Sequence, residues 1–137
     1  MQIKKVGVIG AGQMGNGIAH VLSLGGYNVI LNDIDKNILE KASNNIKNNL
    51  ERQVNSKKIS TAESNAALKL IDYTVSLEDF NDVDLVIEAA TENEAIKQKI
   101  LNSLLPHIQP HTILTSNTSS ISITRLASCT DRPEKFM

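Results

Sequence analysis

Apolar residues along this chain fall into two alternating patterns. Short, near-continuous and β-branched runs occur at Ile3 to Ile9 (IKKVGVI), Val29 to Asn32 (VILN), Asp84 to Ala90 (DLVIEAA) and Thr112 to Ser116 (TILTS), and they read as four buried strands. Between them the spacing becomes helical. Ile18, Val21 and Leu22 recur after the first glycines, and Ile38, Ala42, Ile46, Leu50 and Val54 recur every four residues further on. Ser60 followed by Glu63 predicts a capping box before AALKLI, and Thr91 followed by Glu94 predicts another before Ile96, Ile100 and Leu104. Strands joined by helices imply a parallel sheet with right-handed crossovers, and the pattern runs through the chain without a repeat or a linker.

Composition narrows the partners. The 137 residues suit one compact domain, with 41% hydrophobic and 21% charged side chains. Fourteen basic side chains face 15 acidic ones, so no large single-sign field is available for nucleic acid or anionic lipid, and small molecules are the expected ligands. No apolar run approaches the length of a membrane span, and MQIKKVGVIG enters a strand pattern without a signal-peptide core. Cys129 is the only cysteine, which excludes an intrachain disulfide and agrees with a reducing, cytoplasmic setting.

The densest chemical signal is VGVIGAGQMGNGIAH, where Gly10, Gly12 and Gly15 form GxGxxG between the first strand and the first helix. Gly10 permits the tight turn, Gly12 lets a diphosphate approach the backbone, and Gly15 lets the helix pack against the strand. Helix-start N–H groups, around Gln13 and Met14, would then bind the diphosphate with help from the helix dipole. Asp33 closes the second strand, 18 positions beyond Gly15. A carboxylate there can accept hydrogen bonds from both adenine-ribose hydroxyls and would repel a 2′-phosphate, so the motif predicts a Rossmann-type, doubly wound domain that prefers NAD to NADP. Asp33 could instead cap a turn in NDID, although Asp35 is the better placed cap.

From GAGQMGNGIA through VIEAATEN and SNTSS to DRPEKF, the chain resembles the N-terminal part of the 3-hydroxyacyl-CoA dehydrogenases, including the 3-hydroxybutyryl-CoA dehydrogenases. The resemblance implies reversible, NAD-dependent oxidation of a 3-hydroxyacyl-CoA to the 3-oxoacyl-CoA, as in fatty-acid β-oxidation and butanoate metabolism. It also implies a helical hairpin inserted after the second strand. Carried over by motif, Glu92 matches an acidic position facing the nicotinamide-side ribose, and Lys97 a lysine that helps hold the cofactor. In SNTSS, Asn117 lies beside the cofactor and Ser119 matches the serine that hydrogen-bonds the reacting oxygen, the one catalytic residue assigned here. A hydroxyl suits both directions, because it can donate to a ketone and accept from an alcohol. Each has a plainer reading: Glu92 as a first-turn acid, Lys97 on a solvated helix face, and the SNTSS cluster as a capping loop before ISITRLAS.

Alcohol oxidation also needs a base, and histidine is the usual one. His107 and His111 precede a strand and belong at the opposite edge of the sheet, while His20 lies beyond the first turn of its helix, so none suits the role. In the resembled family the catalytic histidine follows the RPxxF segment and a glutamate orients it. Residues 1–137 are accordingly expected to be a dinucleotide-binding domain cut before its last strands, the histidine and a helical, dimer-forming C-terminal domain. Such a chain would bind NAD with little catalysis, and no metal is expected. The competing readings are an NAD-dependent hydroxy-acid or sugar-acid dehydrogenase, a non-enzymatic NAD-binding module and, more distantly, a methyltransferase.

Overall fold

The computed structural model describes residues 3–89 and 94–116, which form a five-stranded parallel sheet flanked by helices. In chain order the elements are β1 (Lys5–Ile9), α1 (Gln13–Leu24), β2 (Asn28–Asn32), α2 (Lys36–Asn55), α3 (Thr61–Leu70), β3 (Ile71–Thr74), β4 (Leu85–Glu88), α4 (Glu94–Leu104) and β5 (Ile113–Ser116). Short 3-10 turns over Leu77–Phe80 and Leu105–His107 lead towards β4 and β5. The strand order is β3-β2-β1-β4-β5, so the chain reverses its direction of travel across the sheet between β1 and β4. Ligands of open α/β sheets bind outside the carboxyl ends of the strands at such a reversal.

The expected alternation of strands and helices is present, with one correction. The described residues contain five strands where the apolar runs suggested four, because IDYT at Ile71–Thr74 pairs in parallel with β2. That strand is four residues long, lies at the sheet edge and starts directly after Leu70 of α3, so no turn residue announces it. α2 and α3 form the inserted helical hairpin. Asp35 caps α2, accepting from the N–H of Asn37, and Ser60 and Glu63 form the reciprocal capping box of α3. Thr91 and its proposed box lie outside the described residues.

Two apolar layers cover the two faces of the sheet. On one, Val6, Val8, Val29 and Leu31 pack with Ala19 of α1, with Leu39, Ala42, Ile46 and Leu50 of α2, and with Ala67 of α3. On the other, Ile9, Ile30 and Val86 pack with Phe80 and with Leu101 and Leu104 of α4. Gly7 makes room for the Phe80 ring, since a Cβ at that position would sit 2.6 Å from it.

The buried face of α1 also differs from the sequence pattern. Gly15, Asn16, Ala19, His20 and Ser23 face inward, whereas Val21 is exposed and Ile18 and Leu22 are only partly buried. Small residues bring α1 close to the sheet, so its buried stripe follows size rather than hydrophobicity.

Candidate functional site

The glycine turn joins β1 to α1 at the reversal point of the sheet. Gly10 has φ 98°, a left-handed conformation that side chains disfavour, and its N–H donates to the carbonyl of Asn32 at 2.7 Å. A Cβ on Gly15 would lie 1.6 Å from the carbonyl oxygen of Gly10, so only glycine lets α1 start this close to the turn. Gly12 is different. Its backbone is extended (φ −67°, ψ −167°) and a Cβ there would meet nothing within 4 Å. The protein's own packing does not require a glycine at this position, which leaves the backbone here open to approach. Space that a Cβ would fill is thus kept open at the start of α1, as a diphosphate-bearing cofactor requires.

Gln13 and Met14 open α1 with exposed side chains, Gly12 supplies no side-chain cap, and no acidic residue occupies the first turn. The positive end of the helix dipole therefore meets no carboxylate from its own helix. A groove of about 470 Å³ extends from here between α1 and α2, lined by Ala11, Gly12, Gln13, Asn16, Ile38 and Lys41 among others.

Asp33 follows the last residue of β2 and is partly buried. One carboxylate oxygen accepts from the N–H of Ala11 at 3.0 Å, and the other from the N–H of Asp35 at 2.9 Å. The side chain thus ties the glycine turn to the end of β2, while each oxygen keeps a further lone pair for a hydroxyl donor. Asp33 thus fixes the glycine turn at the carboxyl end of β2, as the reading of it as a turn residue requires.

Across the reversal point, Glu88 ends β4 in register with Ile9 of β1 and Ser116 of β5. Its side chain is completely buried, and one carboxylate oxygen accepts from the Lys97 ammonium of α4 at 2.5 Å. Lys97 is itself 1% exposed, which rules out the solvated helix face as its place. Glu88 lies within VIEAATEN without an assigned role, and its signal in the sequence is a carboxylate closing the apolar run Leu85 to Ile87. Glu92, Asn117 and Ser119, with Cys129 and the RPEKF segment, lie outside the described residues. The structure therefore brings Gly10, Gly12, Gln13, Met14, Gly15 and Asp33 together, and places Lys97 on the neighbouring half of the sheet.

The histidines lie elsewhere. His20 is buried between α1 and α2, with Nε2 hydrogen-bonded to Gln53 Oε1 at 2.8 Å. His111 pairs with Asp84 at the amino edge of the sheet, and His107 is in the turn that precedes β5. Among the described residues no cluster of three or more His, Cys, Asp or Glu could hold a metal ion, and no helix is long and apolar enough to cross a membrane.

The family model for the 3-hydroxyacyl-CoA dehydrogenase NAD-binding domain matches residues 5–137. The chain belongs to that family. As a member it is the NAD-binding part of an oxidoreductase fold, in agreement with the open Gly12 and the tied Asp33. It is 52% identical over 135 residues to 3-hydroxybutyryl-CoA dehydrogenase of Bradyrhizobium diazoefficiens, covering 98% of this chain and 46% of that protein. A 3-hydroxybutyryl-CoA dehydrogenase of Mycobacterium tuberculosis is 40% identical, over 98% of this chain and 48% of its own length. The crystal structure of (S)-3-hydroxybutyryl-CoA dehydrogenase from Ralstonia eutropha superposes with a TM-score of 0.94 at 41% identity, covering 98% of this chain and 48% of that one. The chain thus spans about half the length of these 3-hydroxybutyryl-CoA dehydrogenases.

Proposed function

We propose that this chain is the cofactor-binding part of an NAD-dependent 3-hydroxyacyl-CoA dehydrogenase, with 3-hydroxybutyryl-CoA as the substrate favoured by its relatives. The observation that carries the reading is the glycine turn, where Gly12 leaves its space open while Asp33 holds Ala11 at the end of β2. Asp33 accepts the adenine-ribose hydroxyls, and the start of α1 at Gln13 and Met14 receives the diphosphate. The nicotinamide half then lies over β4 and β5, beyond the reversal point, where Lys97, Glu92 and Asn117 hold it. NAD held there would supply the hydride acceptor for oxidation of the substrate's carbinol carbon, and NADH the donor for the reverse direction. Ser119 hydrogen-bonds the reacting oxygen as hydroxyl or ketone.

All three histidines lie away from this crevice, and the base that takes the proton of the alcohol belongs, in this reading, to the half of the relatives' length that this chain does not span. The relatives' second half is where that base, an acyl-CoA-closing helical domain and a homodimer contact are expected, in a cytoplasmic enzyme. Titration with NADH, followed by acetoacetyl-CoA or free acetoacetate, tests the reading. NADH is expected to bind saturably and to remain unoxidised by this chain after either addition, and its consumption with the thioester at an enzymatic rate would place a base within these residues. Consumption with the acid alone would instead favour a hydroxy-acid dehydrogenase.

A further inference from the structure

The buried pair of Glu88 and Lys97 is unusual in its surroundings. Both side chains lie on the sheet face that carries Val86, Leu101 and Leu104, at its carboxyl end and next to the strand that leads into the glycine turn. Taking two charges out of water costs several kcal/mol per ion, and a packed apolar pair would hold β4 and α4 together at least as well. Stability alone does not account for a fully buried carboxylate and ammonium here. Their position suggests another role. Asp33 fixes the adenine half over β2, so the nicotinamide half extends over β4, towards this pair.

We infer that Glu88 is a positioning and charge-balancing residue, which holds Lys97 at the carboxyl end of β4 and cancels its field where the nicotinamide ring lies. The inference rests on the reading that the chain binds NAD as proposed above. The ring is cationic in NAD⁺ and neutral in NADH, so an unbalanced charge beside it selects between the two forms. A bare ammonium would penalise NAD⁺, a bare carboxylate would favour it, and the pair leaves the preference to the rest of the site. At separations of about 8 Å and intermediate dielectric, one unit charge changes the affinity ratio by roughly three- to thirty-fold. Glu88 therefore sets how evenly the site holds the oxidised and reduced cofactor, which matters for a reaction that runs both ways.

The test is the ratio of NAD⁺ to NADH dissociation constants, with NADH binding read by its fluorescence and NAD⁺ by displacement. Glu88→Gln keeps an acceptor for the lysine but leaves its charge unbalanced, and is expected to shift the ratio against NAD⁺ by roughly three-fold or more. Lys97→Met is expected to shift it towards NAD⁺ by a similar factor, and the pair variant E88Q/K97M to return it close to the original value. Melting of the pair variant checks that the fold survives, and if one single variant does not fold, the other decides by the direction of its shift. An unchanged ratio in the folded single variants, whether or not both ligands bind more weakly, would overturn the inference. Failure of the unsubstituted chain to bind either ligand would overturn instead the NAD reading on which it rests.

Discussion

The two halves of the sheet differ in what they present at the carboxyl ends of their strands. On the β2 side the site consists of backbone and one partly exposed carboxylate: a turn made possible by Gly10, a helix start left open at Gly12, and Asp33 joining the two. On the β4 side it consists of buried charge, with Glu88 and Lys97 paired among apolar side chains. The first half is a shape into which a polyanion fits, held by dipoles and N–H groups that need no counter-charge. The second is a buried charge pair, beside which the proposed reading lays a ring that changes its charge during reaction. Shape can be damaged by one methyl group, whereas the electrostatic setting responds to a change of charge with little change of volume.

The sharpest contrast is within the glycine motif itself. Gly15→Ala places a Cβ 1.6 Å from the Gly10 oxygen, so α1 must shift; a loss of about 3 kcal/mol or more in denaturant unfolding, together with loss of NADH binding, is expected. Gly12→Ala meets no atom within 4 Å, and its stability should stay within about 0.5 kcal/mol of the original. NADH affinity of that variant should nevertheless fall by roughly ten-fold or more, because the methyl group occupies the space kept for the diphosphate. Equal stability losses in the two variants would remove the distinction between a packing glycine and a binding glycine.

A smaller effect is expected at Asp33. Asp33→Asn retains an oxygen that can accept from Ala11, so the glycine turn should persist while the negative charge is lost. The preference for NADH over NADPH should narrow by roughly five-fold or more, and an unchanged preference would detach Asp33 from the adenine ribose.

The smallest effect belongs to the opposite edge of the sheet. Asp84 accepts from the N–H groups of Lys4 and Lys5 and pairs with His111, and the backbone bonds first, then the histidine, hold its carboxyl below the usual carboxylate range. A depressed folded-state pKa adds stability above the ordinary carboxylate pKa, and that stability disappears as pH falls through the lower, folded value. Asp84→Asn should therefore melt lower than the original at neutral pH, with the difference shrinking under acid, and NADH affinity should not change. A change in NADH affinity would show that the amino edge communicates with the crevice.

Much of this was legible in the sequence, and the exceptions have physical causes. GxGxxG and Asp33 form a local signal, because a strand, a turn and a helix start are contiguous in the chain and the acid closes the next strand. The hairpin helices announced themselves through Asp35, Ser60 and Glu63. β3 did not, since an edge strand of four residues with no turn before it has too few positions to show a period. The inward face of α1 was misread because it is chosen for close approach by Gly15, Ala19 and Ser23 rather than for apolar side chains. Glu88 and Lys97 are nine positions apart on different elements, and only the packing of α4 against the sheet reveals that each charge is the other's partner.

The most direct test of the central claim is a fluorescence titration of this chain with NADH, carried out beside Gly12→Ala under the same conditions. The account requires saturable binding by the original chain, competition by NAD⁺, and a large loss in Gly12→Ala with an unaltered melting curve. Absent binding by the original chain, or equal binding by the folded variant, would contradict the claim that the space at Gly12 is kept for the dinucleotide.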